Sequence, residues 1–180
     1  MKKQEGYLFV YFTGESEDGE QIYFAVSKDG LHWMDLNGGK PVLRSHIGEK
    51  GVRDPFIIRA VQEDKFYLIA TDLRIASGKG WDAAQYEGSR SIVVWESEDL
   101  VNWSRERLEE VGCKEAGCVW APEAVYDPTR KKYMVFWASM VKEKGEEKAK
   151  QRIYCAFTED FRSFTKTEKY IEKDTHIIDT

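Results

Sequence analysis

The chain of 180 residues is short of cysteine, histidine and long apolar runs, and each shortage removes a class of protein. Its three cysteines, Cys113, Cys118 and Cys155, are an odd number, where a disulfide framework would need pairs. Cys113 and Cys118 have no histidine or second cysteine pair near them, which argues against zinc, so reduced thiols in a loop and a strand are expected. The three histidines, His32, His46 and His176, are scattered, and neither a metal site nor a cofactor is expected. No stretch approaches the roughly 20 consecutive apolar residues of a membrane span. Lysines and arginines number 27 against 32 acids, a net charge of −5, and no basic run is interleaved with aromatics, so nucleic acid is not an expected partner. The start, Met1-Lys2-Lys3-Gln4-Glu5-Gly6-Tyr7, has lysines without the apolar stretch of a signal peptide, which leads to the expectation of a cytoplasmic protein.

What is present is 42% hydrophobic and 13% aromatic sequence, enough for one domain over 1–180 with a core of its own. The apolar residues come in short bursts. Tyr7 to Thr13, Gln21 to Ser27 and the short outer segment Pro41-Val42-Leu43 read as strands separated by polar turns. A second cycle runs through an apolar strand opened by Arg53-Asp54-Pro55, then Phe66 to Leu73, a Gly-rich excursion from Ser77 to Arg90, and Ser91 to Ser97. A third begins at Trp120 and continues with Tyr133 to Met140, a charged loop from Lys142 to Gln151 that has room for a short surface helix, and Arg152 to Phe157. No segment shows helical periodicity over three turns.

The cycles share a punctuation mark. Ser27-Lys28-Asp29-Gly30-Leu31-His32-Trp33 is echoed by Ser97 to Trp103 and by Thr158 to Phe164, so the anchoring aromatics lie 70 and 61 residues apart. A β-sandwich also has many short strands, but it does not repeat one turn after every third strand. The pattern predicts an all-β fold, a β-propeller of four-stranded antiparallel blades, present in part: two full blades with incomplete first and last ones. The first unit lacks an inner strand, and His176 to Thr180 reads as an inner strand without its blade. Unpaired edges are a liability, and these two ends match in type, so a head-to-tail homodimer through the blade edges, or an open arc, is the expected consequence.

Inner strands line a propeller's channel, so acids at their openings converge. The candidates are Asp54, Glu123 and Asp179, and paired carboxylates are the equipment of glycoside hydrolysis. Asp54 also has a local reading, an Asp-Pro turn whose side chain caps its own backbone, and Glu123 reads equally as an ordinary strand opening. Trp81 and Tyr86 on the Gly-rich excursion offer aromatic faces to a sugar, or else to a neighbouring blade. Trp33, Trp95, Trp103 and Trp137 are assigned to packing within and between blades.

Arg53-Asp54-Pro55, Trp120-Ala121-Pro122-Glu123 and Ile178-Asp179-Thr180, with Asp99-Leu100-Val101-Asn102-Trp103 between them, resemble the furanosidase and xylosidase propellers of glycoside hydrolase family 43. The resemblance covers nearly the whole chain and rests on the order of the motifs. It implies an inverting glycosidase for arabinose- or xylose-containing oligosaccharides, with Asp54 as general base and Asp179 tuning and orienting the acid. It further implies that Trp120 and Glu123 line the sugar site; Arg53 and Trp81 are expected as further substrate contacts. The family's general acid is a glutamate on a fourth inner strand, for which this sequence offers no counterpart. A non-catalytic, sugar-binding remnant is therefore the second reading. A β-fructosidase-type propeller, in which an Arg-Asp-Pro triplet also occurs, is the third.

Overall fold

The computed structural model describes residues 5–179, and Thr180, the last residue of the final motif, lies outside them. Three antiparallel sheets follow one another along the chain. The first is β1 (Tyr7–Tyr11), β2 (Tyr23–Ser27) and β3 (Trp33–Asp35). The second is β4 (Val52–Arg59), β5 (Phe66–Asp72), β6 (Ser91–Ser97) and β7 (Arg107–Glu110). The third is β8 (Trp120–Asp127), β9 (Lys132–Val141), β10 (Lys150–Thr158) and β11 (Glu168–Ile171). Each four-stranded sheet pairs its strands in chain order, which is the up-and-down meander of a propeller blade. The fold is all-β and propeller-like, with two four-stranded blades preceded by a three-stranded sheet.

Burial explains the strand compositions. A middle blade is covered on both faces, so its strands need no polar alternation. In β5, Leu68 and Ala70 face the first sheet, where they join Ile22, Phe24, Val93 and Trp95, while Tyr67 and Ile69 face the third, joining Val94, Tyr133, Val135 and Trp137. Side chains on successive strand residues point to opposite faces, so one apolar run feeds two cores.

The repeated turn is built the same way three times. Ser27 Oγ accepts the Gly30 N–H at 2.9 Å, and Asp29 Oδ1 accepts the N–H groups of Leu31 and His32, both at 2.9 Å. Ser97 and Asp99 do the same for Leu100, Val101 and Asn102, and Thr158 and Asp160 for Phe161, Arg162 and Ser163. The Asn102 N–H holds the Asp99 carboxyl down at about 2. Gly30, Leu100 and Phe161 all sit at positive φ, 76°, 64° and 53°. Phe161 uses that geometry to drive its ring between Tyr67 and Tyr133, with ring centroids 4.4 and 5.1 Å away.

Several expectations need correction. The first sheet's outer strand is Trp33–Asp35, because Trp33 returns into register opposite Ser27; Leu43 makes only an isolated bridge to Ile22. The excursion after β5 contains a short helix, α1 (Trp81–Tyr86), whose six residues are too few to show a period. The charged loop after β9 has turns and no helix. His176 to Asp179 is not a strand: Ile177 donates its N–H to the Gln151 carbonyl and His176 Nδ1 accepts the Gln151 N–H, tying this segment to the start of β10. Trp95 and Trp137 are buried as expected and Trp103 packs edge-on to Phe24, but Trp33 is 43% exposed against Phe9.

That exposure belongs to a whole face. Tyr7, Phe9 and Trp33 stand in the open on one face of the first sheet, and among the described residues β1 pairs only with β2. Apolar faces of this kind drive association. The 180-residue polypeptide is expected to show a light-scattering mass that rises with concentration, and Phe9→Lys with Trp33→Lys should suppress the rise. A mass that stays at one chain throughout would show that this face is not adhesive.

Candidate functional site

The inner strands β4 and β8 each carry a proline inside the strand, and the sheet register shows why it is tolerated. Arg53 pairs with Thr71 and Phe56 with Ile69, so Asp54 and Pro55 together oppose the single residue Ala70. Trp120 pairs with Ala138 and Glu123 with Phe136, so Ala121 and Pro122 likewise oppose Trp137. Each is a β-bulge, and a bulge leaves one residue outside the ladder, where a missing N–H costs nothing. The strands run on past the prolines; Pro55 does not mark a strand start. Asp54 and Ala121 both take positive φ, 48° and 47°, and so does Asp179 at 56°. An alanine there is costly, and an aspartate less so.

The bulge turns Asp54 inward. Its Oδ2 accepts the Thr71 hydroxyl at 3.0 Å, so it does not cap its own turn. Burial pushes the Asp54 carboxyl above its ordinary value; Thr71 and Arg53 pull the other way, and the Asp179 charge adds to the rise. Glu123 is raised by burial and then by the same Asp179 charge. The Asp179 charge thus acts on both of the other acids singled out in the sequence. Raised, half-buried carboxyls at one opening are suited to acid–base work.

Beside them lies an aromatic and cationic cluster. The Arg53 guanidinium is 4.7 Å from the Phe12 ring centroid and 5.0 Å from that of Trp81. Trp81, at the start of α1, meets Trp120 edge to face at 6.0 Å and leaves 45% of its surface exposed. Arg53, Trp81, Trp120 and Glu123 are thus gathered by three separate stretches of chain. Tyr86, at the far end of α1, is exposed.

One central residue has no mark in the sequence. Glu20, fully buried at the head of the segment leading into β2, accepts Arg53 Nη1 at 2.9 Å and the N–H groups of Ile75 and Ala76, both at 2.9 Å. Its partners lie 33, 55 and 56 residues away, beyond the reach of any local pattern. Glu20 fixes both Arg53 and the root of the excursion that carries Trp81. Asp72, at the end of β5, is a second buried acid, raised by its burial and accepting the Glu49 N–H at 2.8 Å. A Cβ at Gly48 (φ 57°) would fall 2.4 Å from its carboxylate, so only glycine fits there.

A family described as "Probable glycosyl hydrolase domain", related to glycoside hydrolase family 43, matches residues 2–180. The chain belongs to that family. It is 32% identical, over 97% of its length, to an α-L-arabinofuranosidase of Bifidobacterium longum subsp. longum, and covers 18% of that protein. Among solved structures, a family 32 β-fructofuranosidase of Bombyx mori superposes with a TM-score of 0.60 at 20% identity, over 92% of this chain and 34% of that one. A family 93 α-L-arabinofuranosidase of Fusarium graminearum, in complex with arabinobiose, gives 0.57 at 15% identity, over 95% and 51%. At these identities the superpositions speak for the fold. The chain spans well under two thirds of each relative's length.

Burial of the acids has a measurable consequence. The folded chain holds the Asp54 proton more tightly than the unfolded chain, so this group's contribution to stability is complete below its ordinary 3.8 and is lost as pH rises through the folded value. Asparagine cannot ionise and tolerates positive φ. Asp54→Asn is therefore expected to melt above the parent chain at neutral pH, with the gain disappearing below the ordinary carboxylate range. Thermal melts followed by circular dichroism at both pH values check this; a variant melting lower at neutral pH would contradict the assigned burial cost.

Proposed function

We propose that this glycoside hydrolase-like domain holds the sugar and supplies the general base of an inverting enzyme acting on arabinose- or xylose-containing oligosaccharides. What supports the reading is that the Asp179 charge acts on both Asp54 and Glu123, while Arg53 and Trp120 on the same two strands, β4 and β8, gather with Trp81. The 32% identity to an arabinofuranosidase supports the arabinose end of that substrate range.

In this reading Asp54 takes a proton from water as the water attacks the anomeric carbon. Asp179 keeps the acid protonated through its charge. The general acid comes from outside these residues, about 6.5–9.5 Å from Asp54, the gap that leaves room for water in an inverting site. Glu123 occupies the register position of Phe56, two places past the bulge position held by Asp54, and serves as a sugar contact. Trp81 and Trp120 meet the apolar C–H face of a pentose, and Arg53 has guanidinium hydrogens left for hydroxyls.

The test has two arms. Titration of the chain with arabino-oligosaccharides should change tryptophan fluorescence, Trp81→Ala should abolish the change, and Asp54→Asn should keep it. In an enzyme that contains this domain together with its acid, Asp54→Asn should lower turnover on aryl arabinofuranosides by about 10²–10⁴-fold. Turnover within a few-fold of the parent would remove Asp54 from the mechanism, and fluorescence indifferent to every pentose oligosaccharide would remove the sugar site.

A further inference from the structure

Thr71 is fully buried on β5, and its hydroxyl oxygen has two neighbours. The Ala121 N–H, from the bulge of the next blade, points at it from 2.8 Å, and Asp54 Oδ2 lies 3.0 Å away. A backbone N–H can only donate, so one lone pair of Thr71 Oγ1 is occupied by Ala121. The hydroxyl has a single proton, and the acceptor within its reach is Asp54 Oδ2.

We infer that Thr71 is a positioning residue for Asp54, its one proton committed to Oδ2 because the Ala121 amide of the neighbouring blade holds its acceptor side. Were Oδ2 to carry a proton and donate it, the Thr71 proton would be left buried without an acceptor, which costs more than a hydrogen bond gains. The relay therefore favours the ionised carboxylate with Oδ2 engaged, and leaves Oδ1 as the oxygen free to receive a proton. Burial drives Asp54 the opposite way, and Thr71 heads the influences that hold it down.

The arrangement is peculiar to this blade. Thr71 stands opposite Arg53, and the residue at the same register in the next blade, opposite Trp120, is Ala138. Where the bulge holds alanine there is no hydroxyl; where it holds aspartate there is one. The other charged or titratable groups around Asp54 are few. Arg53 on its own strand is paired to Glu20, Asp179 lies on the terminal segment, and β8 brings Glu123. The neighbouring strand β1 brings Tyr7 and Tyr11, and Tyr11 donates its hydroxyl to Asp35. In the loop after β5, Lys79 is paired to Glu49. None of these offers the Thr71 proton an alternative acceptor.

The catalytic meaning of this relay rests on Asp54 being the base; the hydrogen bonds do not. The experiment therefore reads the carboxyl directly, by carbon-13 NMR titration of the Asp54 side chain in the 180-residue protein. Thr71→Val keeps the shape and removes the hydroxyl, and should move the Asp54 midpoint to higher pH, with proton binding roughly tenfold tighter. Thr71→Ser restores the hydroxyl and should return the midpoint to that of the parent. An unchanged or lowered midpoint in Thr71→Val overturns the inference. If the valine variant fails to fold, the parent protein still decides: exchange of the Thr71 hydroxyl proton for deuterium should shift the Asp54 carboxyl carbon, and no isotope shift would overturn it. A titration shift as described, in a protein that binds no pentose oligosaccharide, would uphold the relay and discard the glycosidase reading.

Discussion

Among the described residues neighbouring blades share no backbone hydrogen-bond ladder, and the build of the site follows from that constraint. The three sheets are separate, and their inner strands approach one another without pairing. Apolar packing fixes the distance between blades but says little about the angle of a given carboxylate. The site is therefore cross-tied by a few side chains that leave their own blade. Glu20 ties the entrance of the first sheet to Arg53 of the second and to the excursion at Ile75 and Ala76. Thr71 ties the second to the Ala121 amide of the third. Removing one partner from a buried ion pair such as Glu20–Arg53 costs about 3–5 kcal/mol, a large share of a typical domain's stability.

Two sets of acidic residues stand in opposite electrostatic settings. Asp29, Asp99 and Asp160 sit in the repeated turns, where backbone N–H groups reward the charged form and hold their carboxyls below the ordinary range. Asp54, Glu123 and Asp72 lie where burial penalises the charged form and lifts them. For the first population ionisation stabilises the fold; for the second it is a standing cost. Half-buried acids kept despite that cost are the kind of group the proposed acid–base role would use.

How much of this was legible in the sequence depends on how local each signal is. The aromatic strands beginning at Tyr7, Phe66 and Tyr133 and the Ser/Thr-x-Asp turns are local, and they placed the blades. The site acids were legible because each stands beside a bulge proline or in a matching terminal motif. Glu20 was not, because its partners are distant and its neighbours look like an ordinary turn. The helix Trp81–Tyr86 escaped because six residues carry no period. Val42-Leu43 looked like a strand by composition, yet the turn closing at Trp33 had already delivered the chain into pairing with β2. The outer strand Arg107–Glu110 is polar enough to pass for loop, since it faces solvent at the rim.

The bulges carry the remaining information. Asp54 and Ala121 in the two bulges, and Asp179 in the terminal segment, all take positive φ, though only the two aspartates have a side chain with chemistry to offer. At Ala121 the strain has a different return: the conformation aims an N–H at Thr71, and through Thr71 it acts on Asp54. An aspartate there would add another carboxyl where the Asp179 charge already raises Asp54 and Glu123, pushing Asp54 further from its ionised state. Alanine keeps the backbone geometry and withholds the charge. The bulge of β8 thus contributes to the site by what its amide donates and by the carboxylate it leaves out.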